Sequence, residues 1–214
     1  MTGATAVRQP SQPGGDETPQ TAGGRFFDVA NGVWMVKIFP GEYYVTSKAD
    51  EVLVTILGSC VAACIRDPRT GIGGMNHFML AEGKSHSWAG DPESTRYGNF
   101  AMEKLINELL KLGCRRDALE IKVFGGGNVT DTKNLIGTQN SEFVVRYLEN
   151  EGLPIAAQDL FGQHPRRIHY YPSTGRVVRR LLGGTETTAV AREETEYAGR
   201  LKARKTGGEI ELFE

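Results

Sequence analysis

Several things are scarce or missing in this chain, and each absence narrows what it does. Basic and acidic residues nearly cancel, 25 against 26, so no whole-chain field draws the protein to nucleic acid or to an anionic membrane. No apolar run approaches the ~18 residues of a membrane span, and no basic stretch with an apolar core opens the chain, so a cytoplasmic protein without membrane insertion is expected. Cysteine is rare: three residues, an odd number with no framework spacing. If Cys60 and Cys64 share a strand, their Cα atoms lie about 13 Å apart, too far for a disulfide, and reduced thiols are expected. No internal repeat is visible.

What is present suffices for one core. At 214 residues and 39% hydrophobic, the simplest organisation is a single domain with tails. Residues 1–24 are rich in Gly, Pro, Thr, Ser and Gln and read as a disordered tail, residues 25–182 as the domain, and residues 183–214 as a charged, flexible tail in which a short exposed helix is conceivable. Strands are expected at Val36–Phe39, Tyr43–Val45, Val52–Leu57, Leu119–Phe124, Pro154–Asp159, Arg166–Tyr171 and Arg176–Leu181. Two amphipathic helices are expected, over Tyr97–Leu112, with Phe100 and Leu112 in its apolar stripe, and over Gln139–Asn150. The polar stretch Ala81–Arg96 reads as a mobile loop, suited to act as a flap.

The candidate chemistry lies in LGSCVAACIRDPRTGIGGMNHFML, residues 57–80. Two apolar runs flank the turn formers Asp67 to Gly71, a hairpin signal. With Asp67–Thr70 as the loop, Arg66 pairs with Gly71 and Cys60 falls opposite His77, where Cβ atoms stand roughly 4.5–5.5 Å apart on one face. A one-residue slip separates them, and Cys60 is also compatible with the start of a helix. A thiol needs a neighbouring imidazole or helix N-terminus to become a nucleophile at neutral pH, and His77 is such a neighbour. Gly58 before the pair, and Gly73-Gly74 facing it, remove side chains where a substrate backbone comes close and where amides point at an oxyanion, which favours acyl transfer modestly.

Blander and rival readings stand beside this one. Cys60 is equally a small buried hydrophobe and His77 a satisfied core residue. A metal site from Cys60, Cys64, His77 and His86 has the right donor chemistry, but the spacing keeps the two sulfurs apart, and neither metal nor cofactor is expected. Gly125-Gly126-Gly127 follows a strand without completing a phosphate-loop pattern, and a tight turn walling the Cys60 pocket fits it better. Cys114, beside Arg115-Arg116, reads as exposed, and His164, Arg166, Arg167 and His169 as a solvated basic face.

LGSCVAACIRDP, GGMNHFML, RYGNFAMEKLINELLKLGC, KVFGGGNV, IGTQN and QDLFGQHPRRIHYYPSTGRV occur here in an order that resembles the CheD family, the chemoreceptor glutamine deamidases, over about Phe39 to Leu182. The resemblance implies an α+β fold with mixed β-sheets and outer helices, similar to bacterial toxin cysteine deamidases. It implies hydrolysis of selected glutamine side chains of methyl-accepting chemotaxis receptors to glutamate, through a Cys-His-Thr triad. By position Cys60 is the nucleophile, His77 the general base and acid, and Thr55 the nearest match for the residue that orients the imidazole, although it lies one residue nearer the cysteine than in some members. Gly58, Ser59, Gly125 and Gly126 are the oxyanion and pocket candidates. The implied partners are the cytoplasmic receptor helices and a CheC-type phosphatase. A non-catalytic adaptor binding receptors or that phosphatase is the alternative.

Overall fold

The computed structural model describes residues 24–80, 92–129 and 135–205. Two five-stranded sheets form the body. In the first, β1 (Gly24–Asp28), β2 (Val33–Lys37), β4 (Glu51–Leu57), β9 (Arg166–Tyr171) and β10 (Arg176–Leu181) lie side by side. In the second the order is β3 (Tyr43–Thr46), β6 (Gly73–Asn76), β5 (Val61–Arg66), β7 (Glu120–Gly125) and β8 (Ile155–Leu160). Both are mixed: β2 with β4 and β7 with β8 are parallel and the other pairs antiparallel, which gives the expected α+β class.

The unbroken apolar run of β5 follows from burial on both faces. Val61, Ala63 and Ile65 pack with α1 (Pro92–Lys111) and α2 (Ile136–Asn150) through Met102, Leu105, Leu109, Phe143 and Leu148. Cys60, Ala62 and Cys64 point the other way, into a cluster with Val36, Leu53, Leu57, Ile168 and Tyr170 of the first sheet. The thiol of Cys60 is therefore placed between the sheets by strand alternation alone.

Four expectations are corrected. The hairpin loop is longer than its turn residues suggest: Arg66 pairs with Gly73, Ile65 with Gly74 and Cys64 with Met75, a shift of two from the expected register. Asp67 causes it, because its N–H donates to Ile72 O and its carboxylate accepts from Arg69 N and Arg115 N, which holds Gly71 in the loop at φ 73. An even shift keeps every side chain on its face. The bridge between Val61 and Phe78 makes Cys60 and His77 diagonal neighbours on the same face, rather than direct partners.

Second, α1 begins at Pro92, since proline suits the first position of a helix, where its N–H has no partner in any case. Phe100 and Leu112, assigned to its buried stripe, are 58% and 50% exposed. Third, Cys114 is buried, with Thr70 Oγ1 at 3.8 Å from its sulfur, and Arg166 is buried rather than part of a solvated face. Fourth, the C-terminal stretch expected as a tail holds a 21-residue helix, α3 (Thr185–Lys205), whose buried stripe is Val190, Glu194, Tyr197 and Leu201. Residues 1–23 and 206–214 of the two expected tails, and 81–91 of the expected flap, lie outside the described residues.

Candidate functional site

Strand β4 runs into Gly58-Ser59-Cys60 before the chain enters β5. All three carbonyls of this loop are held from behind: Gly127 N donates to Gly58 O at 2.7 Å, Asn140 Nδ2 to Ser59 O at 2.8 Å, and Gly126 N to Cys60 O at 2.7 Å. The three amides consequently face forward, and they converge on one carboxyl group. Gly58 N and Cys60 N each donate to Glu194 Oε1 at 3.0 Å, Ser59 N donates to Oε2 at 2.7 Å, and Ser59 Oγ adds a fourth bond to Oε2 at 2.8 Å. Successive backbone N–H groups arranged in this way make an anion-binding concavity. Gly58 is needed for it, because a Cβ there would stand 2.6 Å from Glu194 Oε2.

Gly125 and Gly126 serve the loop from the other side. Gly125 has φ 115 and Gly126 φ 63, and a Cβ on the first would collide with Cys60 O and on the second with Ser141 Oγ. They allow the close approach that fixes Cys60, and the Gly126 amide, expected as an oxyanion candidate, is already bonded to the Cys60 carbonyl.

His77 and Thr55 meet across the two sheets. Thr55 Oγ1 donates to Ile38 O at 2.7 Å, and His77 Nδ1 lies 2.8 Å from Thr55 Oγ1 and 3.4 Å from Ile38 O. The hydroxyl proton is committed to Ile38 and a carbonyl oxygen only accepts, so Nδ1 carries the ring proton and donates to Thr55. Nε2 is then the basic nitrogen; it is buried without a hydrogen-bond partner among the described residues. Burial lowers the His77 pKa to about 4, against the opposing influence of the Glu194 charge and the Ile38 carbonyl. Burial also pushes the Cys60 thiol well above its ordinary range, and the Glu194 charge adds to that. With α3 in place, the pair is a neutral thiol and a neutral imidazole.

A family model described as "CheD chemotactic sensory transduction" matches residues 79–181. A protein of Rhodopseudomonas palustris named "Probable chemoreceptor glutamine deamidase CheD" is 56% identical over 83% of this chain and 84% of its own length. A relative of the same name from Methylobacillus flagellatus is 51% identical over 91% of this chain and 97% of its own. This chain belongs to the CheD family. Among solved structures, the Bacillus licheniformis hypothetical protein YfiH covers 54% of this chain and 49% of its own at 12% identity, with a TM-score of 0.35. That likeness is too slight to carry an argument.

Within this CheD-family chain the structure brings Thr55 to His77, sets Cys60 and His77 on one face, and gathers the Gly58, Ser59 and Cys60 amides at one point. Three further residues shape the site. Asn140, fully buried on α2, ties Ser59 O to the chain after His77 by also accepting from Leu80 N at 2.8 Å. Arg166 donates to Asp159 O, Asp159 Oδ1 and Phe161 O, holding the loop after β8. Glu194 fills the amide concavity. Asn140 lies in the IGTQN motif, where a short polar stretch opening a helix was the available signal. For Glu194 the signal was the spacing of Val190, Tyr197 and Leu201 on one helical face, with the carboxylate between Val190 and Tyr197 in the stripe.

Proposed function

We propose that this CheD-family protein hydrolyses glutamine side chains of chemoreceptor helices to glutamate, with Cys60 as nucleophile, His77 as general base and acid, and Thr55 orienting the imidazole. The observation that carries the assignment of roles is the Thr55 hydroxyl bonded to His77 Nδ1, which leaves Nε2 basic on the face it shares with Cys60.

In this reading Nε2 takes the thiol proton as Sγ attacks the glutamine side-chain carbonyl carbon. Negative charge develops on the carbonyl oxygen, and the amides of Gly58, Ser59 and Cys60 receive it; because their carbonyls are tied down, the donors need no reorganisation at that moment. The imidazolium returns the proton to the nitrogen, ammonia leaves, and a thioester remains. Water, deprotonated by Nε2, adds to the thioester; expulsion of the Cys60 sulfur gives the glutamate carboxylate and restores the thiol. Each turnover converts a neutral side chain into an anion, so the output is charge on the receptor.

The receptor helices concerned are taken to be cytoplasmic, and a CheC-type phosphatase presenting a helix to the same groove is a further proposed partner. Among the described residues no helix is long and apolar enough to cross a membrane. Incubation of a purified receptor fragment with the protein is expected to add the mass difference between an amide and an acid at each processed site, and Cys60→Ala is expected to abolish the gain. Full activity in Cys60→Ala overturns the mechanism; receptor binding with no mass change by the unmodified protein favours the adaptor.

A further inference from the structure

The proposed reaction places an oxyanion at the Gly58–Cys60 amides, and in this structure a carboxylate from the same chain already sits there. We propose that α3 is an internal stand-in for the product helix: Glu194 holds the place of the glutamate formed on a receptor, so the enzyme rests closed until a receptor helix takes the place of α3. This rests on the deamidase reading above and adds regulation of that same site.

Four observations converge. The reaction product is a glutamate on a helix, and the occupant is a glutamate on a helix. Its two oxygens accept four hydrogen bonds, all from the three residues that end in Cys60, and three of these are the backbone donors assigned to the developing negative charge. Among the described residues the rest of the docking is a narrow stripe of Val190, Tyr197 and Leu201, a hydroxyl contact of 2.8 Å between Tyr197 and Tyr97 on α1, and ion pairs of Glu186 with Arg180 at 2.8 Å and Arg167 at 3.8 Å, which are solvent-exposed and so contribute little. Finally, α3 leaves the domain through Gly183-Gly184, with Gly184 at φ 56 and open space where a Cβ on either would be. Such a connection permits a large change of direction at little steric cost.

Access to the base follows the same pattern. A cleft of about 740 Å³ reaches His77 from the side of Phe39–Tyr43, and Glu193, Tyr197 and Arg200 of α3 form one of its walls. With α3 lifted, this cleft joins the space in front of Cys60, giving a groove open along the length of a substrate helix. Removing the carboxylate also relieves its charge on the Cys60 thiol, so a faster Cys60 counts as uncovering where amide hydrogen exchange along α3 quickens with it; charge relief alone leaves that exchange unchanged.

The test uses the full chain. In Glu194→Ala, alkylation of Cys60 by iodoacetamide, followed at the peptide level, is expected to quicken about tenfold or more, the gain for a lid closed nine-tenths of the time or longer. Cys64 and Cys114 report on unfolding and are expected to keep their rates. Deamidation of a receptor fragment is expected to rise in step. An unchanged Cys60 rate overturns the closed state. A faster Cys60 with an unchanged, measurable receptor rate overturns displacement by receptor. If Cys60 quickens while neither protein modifies any receptor fragment, the closed state stands and the deamidase reading fails. Should Cys64 quicken as well, Glu194→Gln decides. Its side-chain amide plus water yields carboxylate and ammonium if Cys60 processes it in place, so either conversion of that amide back to the carboxylate or faster Cys60 alkylation supports the proposal. Persistence of the amide in Glu194→Gln, with an unchanged Cys60 rate, overturns it.

Discussion

Asn140 and Glu194 reach the Gly58–Cys60 loop from opposite sides. Asn140 comes from α2, a helix anchored by Phe143, Val144, Tyr147 and Leu148 in the main core, and it uses both ends of its amide, donating to Ser59 O and accepting from Leu80 N. Glu194 comes from α3, which among the described residues adds Tyr197 and Leu201 to the inter-sheet cluster with Ala198 packed against it, and it takes up the amides that chemistry needs. The back of the loop is fixed by the Gly126 and Gly127 amides and by Asn140, while its front is satisfied by a group a substrate can replace. An anion-binding loop must keep its donors aimed whether or not the anion is present, and rear anchoring provides that.

The largest expected effect is on the fixed side. Asn140→Ala leaves Ser59 O and Leu80 N without partners in a buried site, at about 3 kcal/mol from two orphaned groups. Thermal unfolding should fall by roughly 10 °C for a domain of this size. Glu194→Ala leaves its donors at a surface that water reaches once α3 lifts, so it should cost much less. Equal losses in the two variants, measured by thermal denaturation, break the comparison.

The next expected effect is on the covered front. Burial holds the folded His77 pKa at about 4, below the ordinary imidazole value. Between these values the unfolded chain binds a proton that the folded chain does not, so stability falls as pH drops from about 6.5 to about 4 and this contribution then levels off. The sensitivity amounts to about 3 kcal/mol, and it should be missing from the difference between pH 7 and pH 4 in His77→Gln. Denaturant unfolding of both proteins at the two pH values checks it; parallel losses show that His77 is not held neutral by burial.

The two sides also differ in how far they could be read from sequence. Turn formers placed the hairpin between Cys60 and His77, and strand alternation put both on one face even though the register was two residues off. The error lay in Asp67, whose side chain organises a wider loop through a contact with Arg115, far away in sequence. Thr55 was found through resemblance to a family; its bond to His77 joins two sheets and has no local signature. A helix was foreseen in the stretch carrying Glu194 but as short and exposed; its docking was missed because a buried polar residue interrupts the apolar stripe that marks a docked helix. A carboxylate at that position reads as exposure until its donors are known, and those donors lie 134 to 136 residues away.

The smallest expected effect on stability tests the wall between front and back. Thr55→Val keeps the shape of the side chain but removes the acceptor for His77 Nδ1–H and the donor to Ile38 O, leaving Ile38 O at 3.4 Å as the remaining acceptor for the ring. Stability should fall by only about 1 kcal/mol. The rate should suffer more, by about tenfold to a hundredfold in kcat, part of what a positioned acid and base supplies. KM should stay near its starting value, since Thr55 is buried behind the imidazole. Thr55→Ser retains the hydroxyl and should recover most of kcat, which separates orientation of His77 from simple packing. If Val and Ser variants lose activity equally, the methyl group rather than the hydroxyl matters, and the tautomer assigned to His77 loses its support.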